Sequence, residues 1–562
     1  MNTTPSFAQL PYQRPNTAEF LTSSAALLAR LEAAETAEIQ RAIVMEWDTL
    51  RRSWSTQKSI AEVHYQQDTA SEQAKTEQEF YDTAGPEVMS AEVDFLKVLT
   101  TSPHRSALEA SIGQQAFALW DCTLTTFEPA IADDQRAEAS LRNQYNELMA
   151  AIRIELDGET HTLSTIRGKF GDADRGVRAA AMAAMDGAMA DKSDALDALY
   201  HKLVGCRHQM AGKLGYDSFT ELGYRKMLRT DYTHVEVAQF RAEIQAVLVP
   251  LAARIRARQA AALGVSDYAY HDEAVRDLQG VPCPKGDASW MLDQASTLFE
   301  RMGPDFDRFF SMMRRRDLLD LESRDGKAGG GFCTSFEDHH IPFIFANFNG
   351  TQDDVNVFTH ECGHAFQCYS AQRQPLSDYI WPTYEACEVH SMGLELMSWP
   401  HMELFFGDDA DRFRIGHLED ALTFVPYGTA VDAFQHRVYE RPDATPQERA
   451  EMWKSVERDF LPWRTYSSMP YAEGGRIWQR QRHIYMSPFY YIDYCLAQLC
   501  ALQFWSLARK DQADAMQRYR ALCDLGGSKP FTELLETVGL KSPFEPGVVR
   551  EVVGEAAAFL EL

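Results

Sequence analysis

His360, Glu361 and His364 stand in an H-E-x-x-H spacing. On a helix, at about 100° per residue, two histidines four positions apart lie one turn apart on a single face. A pair of neutral imidazoles suits zinc, whose catalytic sites take one more protein ligand and a water. Glu361 leaves the helix beside the pair, where it can serve as a base more comfortably than as a further ligand. With 16 histidines in 562 residues, chance yields this spacing in roughly three of a hundred such chains. The plainer alternative, a histidine pair beside a solvated glutamate, is therefore the weaker reading.

A third ligand should be a carboxylate on a second element. The segment from Pro382 to Glu395 reads as a helix, and Glu385, Glu388 and Glu395 fall on it at steps of three and seven, sharing one face. Spacing does not choose among the three, and the carboxylates that do not bind metal could orient the histidines. Farther along, His483, Tyr490, Tyr491 and Tyr494 gather an imidazole and three phenols in a short run. By composition this is an aromatic core segment, yet such groups are also the donors that a developing oxyanion needs.

The elements that must position these groups are legible in part. Thr351 is predicted to cap the motif helix, with Asp354 reaching back in a capping-box manner. Phe358, Cys362, Phe366 and Tyr369 lie about 200° from the histidines and supply an apolar anchoring stripe. Just before the helix, Phe332 to Phe336 and Ile341 to Phe348 read as the two arms of a hairpin, with Pro342 at its edge or its start. A sheet edge holds an extended peptide through main-chain hydrogen bonds, and Gly329, Gly330 and Gly331 allow close backbone approach. Gly330, Gly331, Phe345, Ala346 and Asn347 are accordingly the candidate substrate contacts. Elsewhere helical periodicity dominates, as at Leu27, Leu31, Ile39, Ile43 and Trp47. Ala-rich helices are expected over 178–203 and 234–263, the second kinked or split by Pro250.

The runs GGFCTSF, PFIFANFNGT, DVNVFTHECGHAF and EACEVHSMGLE together resemble the oligoendopeptidase F and Pz-peptidase branch of the thimet oligopeptidase and neurolysin family of zinc metallopeptidases. The run from His483 to Tyr494 and the closing PFTELLETVGLKSPF are also similar to that family. The resemblance implies Glu388 as the third zinc ligand, three residues before Ser391, with Glu395 as a carboxylate behind the ligands. It implies Glu361 as general base, and Tyr494, with His483, Tyr490 and Tyr491, as support for the transition state. The implied fold is mainly α, a neurolysin-like helical shell of two lobes around a deep channel, with a small β-sheet beside the H-E-x-x-H helix. The implied activity is endopeptidase cleavage of short unstructured peptides with one zinc ion per chain. Two rivals carry distinguishable features. A zinc carboxypeptidase of similar shell needs a cationic pocket, for which Arg476, Arg480 and Arg482 are available, whereas a non-catalytic peptide-binding protein has no need of Glu361.

Composition narrows the partners. Acidic residues number 82 against 55 basic ones, a formal charge of −27, which disfavours nucleic acid and anionic membranes. The field of so acidic a chain is expected to favour neutral or cationic peptides. The opening residues lack the pattern of a signal peptide, no stretch suits a membrane span, and ten cysteines without a C-x-x-C pair read as reduced thiols. The expected compartment is the cytoplasm. A soft boundary near residue 160 divides an N-terminal helical region, 1–160, from a catalytic region, 161–562, both expected to wall one cavity. The sequence does not distinguish a monomer from a homodimer.

Overall fold

The computed structural model describes residues 5–562. Helices dominate, and among the described residues there are five short strands: β1 (Ile154–Leu156), β2 (Glu159–His161), β3 (Leu319–Glu322), β4 (Phe332–Phe336) and β5 (Ile341–Phe348). The chain divides into two units. One comprises residues 1–124, 283–410 and 500–541; the other comprises 125–282, 411–499 and 542–562. Each draws on the chain at several separated stretches, and the second takes residues from both sides of position 160. No described helix is long and apolar enough to cross a membrane, and the ten cysteines are all free.

In the first unit the sheet has the order β3, β5, β4, with β5 parallel to β3 and antiparallel to β4. The expected hairpin is present, and Pro342 sits at its start, in register with Ser335. The helix Ala37–Gln67 buttresses this sheet. Ser55 donates to Glu337 Oε1 at 3.0 Å, the Asp338 amide donates to Thr56 at 2.9 Å, and the Ala328 amide donates to the Gln66 carbonyl at 2.8 Å. The same helix joins the N-terminal core, where Trp47 stacks on Phe95 with ring centres 4.4 Å apart. Below that ring pair, Asp48 accepts from the Ser377 amide at 2.9 Å and pairs with Arg51 and Arg52. The N-terminal helices thus fix both the sheet and the loop that follows the motif helix.

The second unit carries the β1 and β2 hairpin, turned at Asp157 and Gly158, both with positive φ. The helix expected over 178–203 is two, Arg175–Ala190 and Ser193–Lys213, because Asp191 and Lys192 close one and open the next. The 234–263 segment stays continuous through a π-helical turn at Ile244–Leu248, and Pro250 follows directly after that turn, so the irregular hydrogen bonding coincides with the residue that lacks an N–H. Two buried arginines organise this unit. Arg207 donates to Glu138 at 2.7 Å and to the Tyr485 carbonyl at 2.5 Å. Arg229 pairs with Asp493 at 2.6 Å, both side chains fully buried, and also donates to the Phe489 carbonyl.

Candidate active site

The motif helix spans Gln352–Ala371, and Thr351 is its N-cap residue. Its cap differs from expectation. Thr351 makes no side-chain cap bond, and Asp354 reaches past it to accept from the amides of Asn349 (3.0 Å) and Gly350 (2.6 Å). The carboxylate thereby ties the end of β5 to the start of the helix. The apolar stripe packs as predicted: Phe358, Cys362 and Phe366 are buried, and Phe306 stacks on Phe366 with centres 4.0 Å apart.

The second helix, Tyr384–Met397, crosses the first at Gly363. A Cβ there would lie 2.5 Å from the His390 carbonyl oxygen and 2.6 Å from the Ser391 Cα. Only glycine permits this approach, which sets Glu388 opposite the two histidines. Tyr519 holds the same spot from behind, donating to the His390 carbonyl at 2.7 Å.

His360, His364 and Glu388 consequently present three ligand atoms within 4.8 Å of one another. Glu388 Oε2 lies 3.3 Å from His360 Nε2 and 3.6 Å from His364 Nε2. Ser391 donates to that same oxygen at 3.0 Å. Glu395 accepts from His360 Nδ1 at 2.7 Å, which leaves the Nε2 lone pair directed at the site. Glu385 is buried but is not a member of the three-ligand group. The donor set of two imidazole nitrogens and one carboxylate fits a divalent metal ion, zinc among them, and leaves a position open. The electrostatics agree. Burial depresses His364 to about 4, keeping it neutral. Burial acts on His360 in the same direction, but Glu388 and Glu395 outweigh it and hold its pKa well above the ordinary value. The two carboxylates therefore create a local demand for positive charge between the imidazoles.

Glu361 is buried, and its Oε2 has no hydrogen-bond partner in the chain. Burial pushes its pKa up to about 7, opposed by His360 and reinforced by Glu388 and Glu395. A Cβ at Gly331 would come within 3.4 Å of Glu361 Oε1, so the exposed glycine backbone before β4 passes directly beside this carboxylate.

Of the candidate substrate contacts, Gly330 and Gly331 are exposed, but Phe345 and Ala346 are corrected by the structure. They sit in the central strand, fully buried, and β5 is paired on both sides. Phe345 is enclosed by Phe332 and by the Lys327 ammonium, 4.4 Å above its ring. The free edge beside the glycines belongs to β4. Asn347 supports that edge, donating to the carbonyls of Ala328 (2.9 Å) and Gly330 (2.8 Å). Lys327, which the sequence did not single out, is a buried staple. It donates to Asp320 Oδ1 at 2.8 Å and to the Ala346 carbonyl at 2.6 Å.

In the second unit, His483, Tyr490, Tyr491 and Tyr494 form one ring cluster. His483 lies 4.9 Å from Tyr491 and 6.0 Å from Tyr494 between ring centres, and Tyr490 lies 5.0 Å from Tyr494. Gln481 donates to His483 Nδ1 at 2.9 Å and accepts from Tyr427 at 2.8 Å. The buried pair of Arg229 and Asp493 secures the start of the tyrosine helix. The three arginines offered for a cationic pocket do not converge. Arg476 faces Asp197 at 3.4 Å and Arg482 is exposed, while Arg480 lies against Tyr270.

Comparison with known proteins places this arrangement. Residues 7–127 match the Peptidase M3 N-terminal domain and residues 305–553 match Peptidase family M3. The chain belongs to peptidase family M3, and is a metallo-oligopeptidase by class. Within that class it is similar to Pz-peptidase A, solved with an inhibitor, at 42% identity and a TM-score of 0.94, with 99% of each chain covered. It is equally similar to an oligoendopeptidase F structure, at 44% identity, a TM-score of 0.94 and 99% coverage of each chain. An oligoendopeptidase F structure from Bacillus anthracis str. Ames follows at 41% identity and a TM-score of 0.89, covering 99% of this chain and 98% of that one. No curated protein matches the chain.

Proposed function

We propose that the protein is a zinc-dependent oligoendopeptidase that cuts internal bonds of short unstructured peptides in the cytoplasm. The observation that carries the reading is the convergence of His360, His364 and Glu388 on one point, with the unpartnered carboxylate of Glu361 beside them. When bound there, zinc supplies the Lewis acid that activates water and polarises the scissile carbonyl. His360 and His364 would hold it through Nε2 and Glu388 through Oε2, with Glu395 and Ser391 fixing the orientation of two of these ligands.

The chain's own residues do the rest. Glu361, its affinity for a proton raised by burial, takes the proton of the attacking water and passes it to the departing amine. The backbone at Gly330 and Gly331 and the free edge of β4 hold the extended peptide by main-chain hydrogen bonds, which demand no particular side chain. Tyr494 and His483, with Tyr490 and Tyr491, are the proposed donors to the developing oxyanion, a role that rests on the family resemblance.

Mass spectrometry of a mixed peptide library tests this reading. Wild-type protein loaded with zinc should yield internal cuts, and blocking the substrate C-terminus should leave those cuts in place, as a carboxypeptidase would not. Glu361→Gln should retain zinc while losing at least about 100-fold in kcat/KM, the scale of a general base. Substantial residual turnover in that variant removes Glu361 from the role.

A further inference from the structure

The second unit contains a cavity of about 470 Å³, a volume ordinary for a small-ligand site. Its walls run against the character of the chain. In a protein of net charge −27, the cavity is faced by Arg167, Arg256, Arg464 and Arg480 and by one carboxylate, Glu273. Glu273 is already taken, forming a two-bond pair with Arg464 at 2.9 and 2.6 Å. Arg256 lies 3.6 Å from the same carboxylate and donates through Nη1 to Gln259 (2.8 Å) and to the Glu273 carbonyl (3.1 Å).

Arg480 differs from these. Its guanidinium lies against Tyr270, donating to the phenol and standing 5.1 Å from the ring centre, and no carboxylate lies within ion-pair distance of it among the described residues. Asp186, whose field reaches it, is occupied by the amides of Tyr471 and Ala472 at 3.0 Å each. Arg167 on the rim is exposed. A half-buried guanidinium without a counter-ion is an expensive arrangement unless an anion completes it.

The remaining wall is apolar, with Phe170, Met182 and Met185 among its members. The cavity also shares Tyr427 and Gln481 with the ring cluster, since Tyr427 donates to Gln481 and Gln481 donates to His483. A ligand here is thus within two hydrogen bonds of the His483 imidazole. The chemistry that fits is a carboxylate on an apolar body, presented to a part of the chain proposed to serve peptide cleavage.

We propose that this cavity binds the C-terminal carboxylate of a short peptide through Arg480 and Arg167, with an apolar terminal side chain against Phe170, Met182 and Met185. The proposal rests on the peptidase reading for the identity of its ligand, but its test does not depend on turnover. Isothermal titration of the zinc-loaded full chain would compare N-acetyl-leucyl-phenylalanine with its C-terminal amide. The free acid should bind at least about tenfold more tightly, the scale of one charge-assisted hydrogen-bond pair. Arg480→Met should abolish the difference without weakening the amide, Arg480→Lys should keep part of it, and the rim variant Arg167→Ala should reduce it severalfold. Thermal melts establish that each variant is folded, and if Arg480→Met is not, Arg167→Ala and Arg480→Lys carry the test. Equal binding of acid and amide to wild type overturns the proposal, as does an undiminished preference in the variants that fold. Failure of the peptide library to be cut, with the acid preference intact, would instead overturn the peptidase reading and leave the anion site standing.

Discussion

The contact between Glu395 and His360 makes a quantitative demand on metal affinity. Glu395 lies 2.7 Å from His360 Nδ1, with its side chain only 12% exposed, so the hydrogen bond is charge-assisted and poorly screened. Bonds of this kind contribute about 1.5–3 kcal/mol, and at about 1.4 kcal/mol per decade that is roughly 10-fold to 150-fold in an equilibrium constant. Carboxylates that orient metal-ligating histidines elsewhere are worth about 10-fold to 100-fold in affinity, so the two lines agree. Glu395→Leu removes the acceptor and should weaken zinc binding across that whole range. Glu395→Gln keeps an oxygen that can accept from Nδ1 and loses only the charge, so its loss should be about tenfold or less. Competition for zinc against a chelator of known affinity measures both values, and melts of the metal-free proteins separate affinity from stability. If Glu395→Leu holds zinc as tightly as wild type, or if Glu395→Gln is the weaker of the two, the assigned orientation of His360 is wrong.

Two further outcomes follow from packing and charge. Gly363→Ala places a Cβ 2.5 Å from the His390 carbonyl; prying the two helices apart should cost at least about 2 kcal/mol in urea unfolding, and should loosen zinc binding as well. Glu138 is buried, yet Arg207, Lys226 and Arg142 outweigh that penalty and hold it at about 2, below its ordinary 4.5. Its folded pKa is depressed, so its contribution is complete above 4.5 and lost as pH falls toward 2, amounting to about 3 kcal/mol. Glu138→Gln should therefore be markedly destabilised at pH 7, where it strands the buried Arg207. That deficit should shrink in urea titrations at pH 3, and a deficit independent of pH would contradict the assignment.

Local patterns carried much of the site. The H-E-x-x-H spacing needed only helical geometry to bring His360 and His364 together, and the hairpin was legible from aromatic residues bounded by glycines and a polar turn. Glu388 was not separable from Glu385 and Glu395 on spacing, because all three share a face at the resolution of helical periodicity. What separates them is where the two helices cross. That crossing is set by Gly363, a residue inside the motif whose requirement is visible only when the His390 carbonyl stands against it. Phe345 and Ala346 were misread for a related reason. A hairpin read in isolation has two edges, and the third strand, β3, joins parallel to β5 from residues 319–322 and takes one of them away.

The least legible residues are those whose partners lie outside any periodic pattern. Nothing in the sequence singles out Lys327 before its three glycines, yet its ammonium is buried among Asp320 Oδ1 and the carbonyls of Asp320, Glu322 and Ala346. It is the anchor from which the exposed glycines beside Glu361 project. Arg229 and Asp493 are 264 residues apart, and Arg229 lies outside every run that the sequence singles out, yet their fully buried pair fixes the start of the tyrosine helix. Such pairs leave no periodic trace, since a charge on a helix face reads as solvated until a complementary charge arrives from elsewhere. Arg480 shows the converse. Beside Arg476 and Arg482 it reads as one of a cationic group, and the fold disperses that group, pairing Arg476 with Asp197 and exposing Arg482. What remains is one guanidinium facing a cavity, and it is this separation from its neighbours in sequence that gives Arg480 a distinct chemical role.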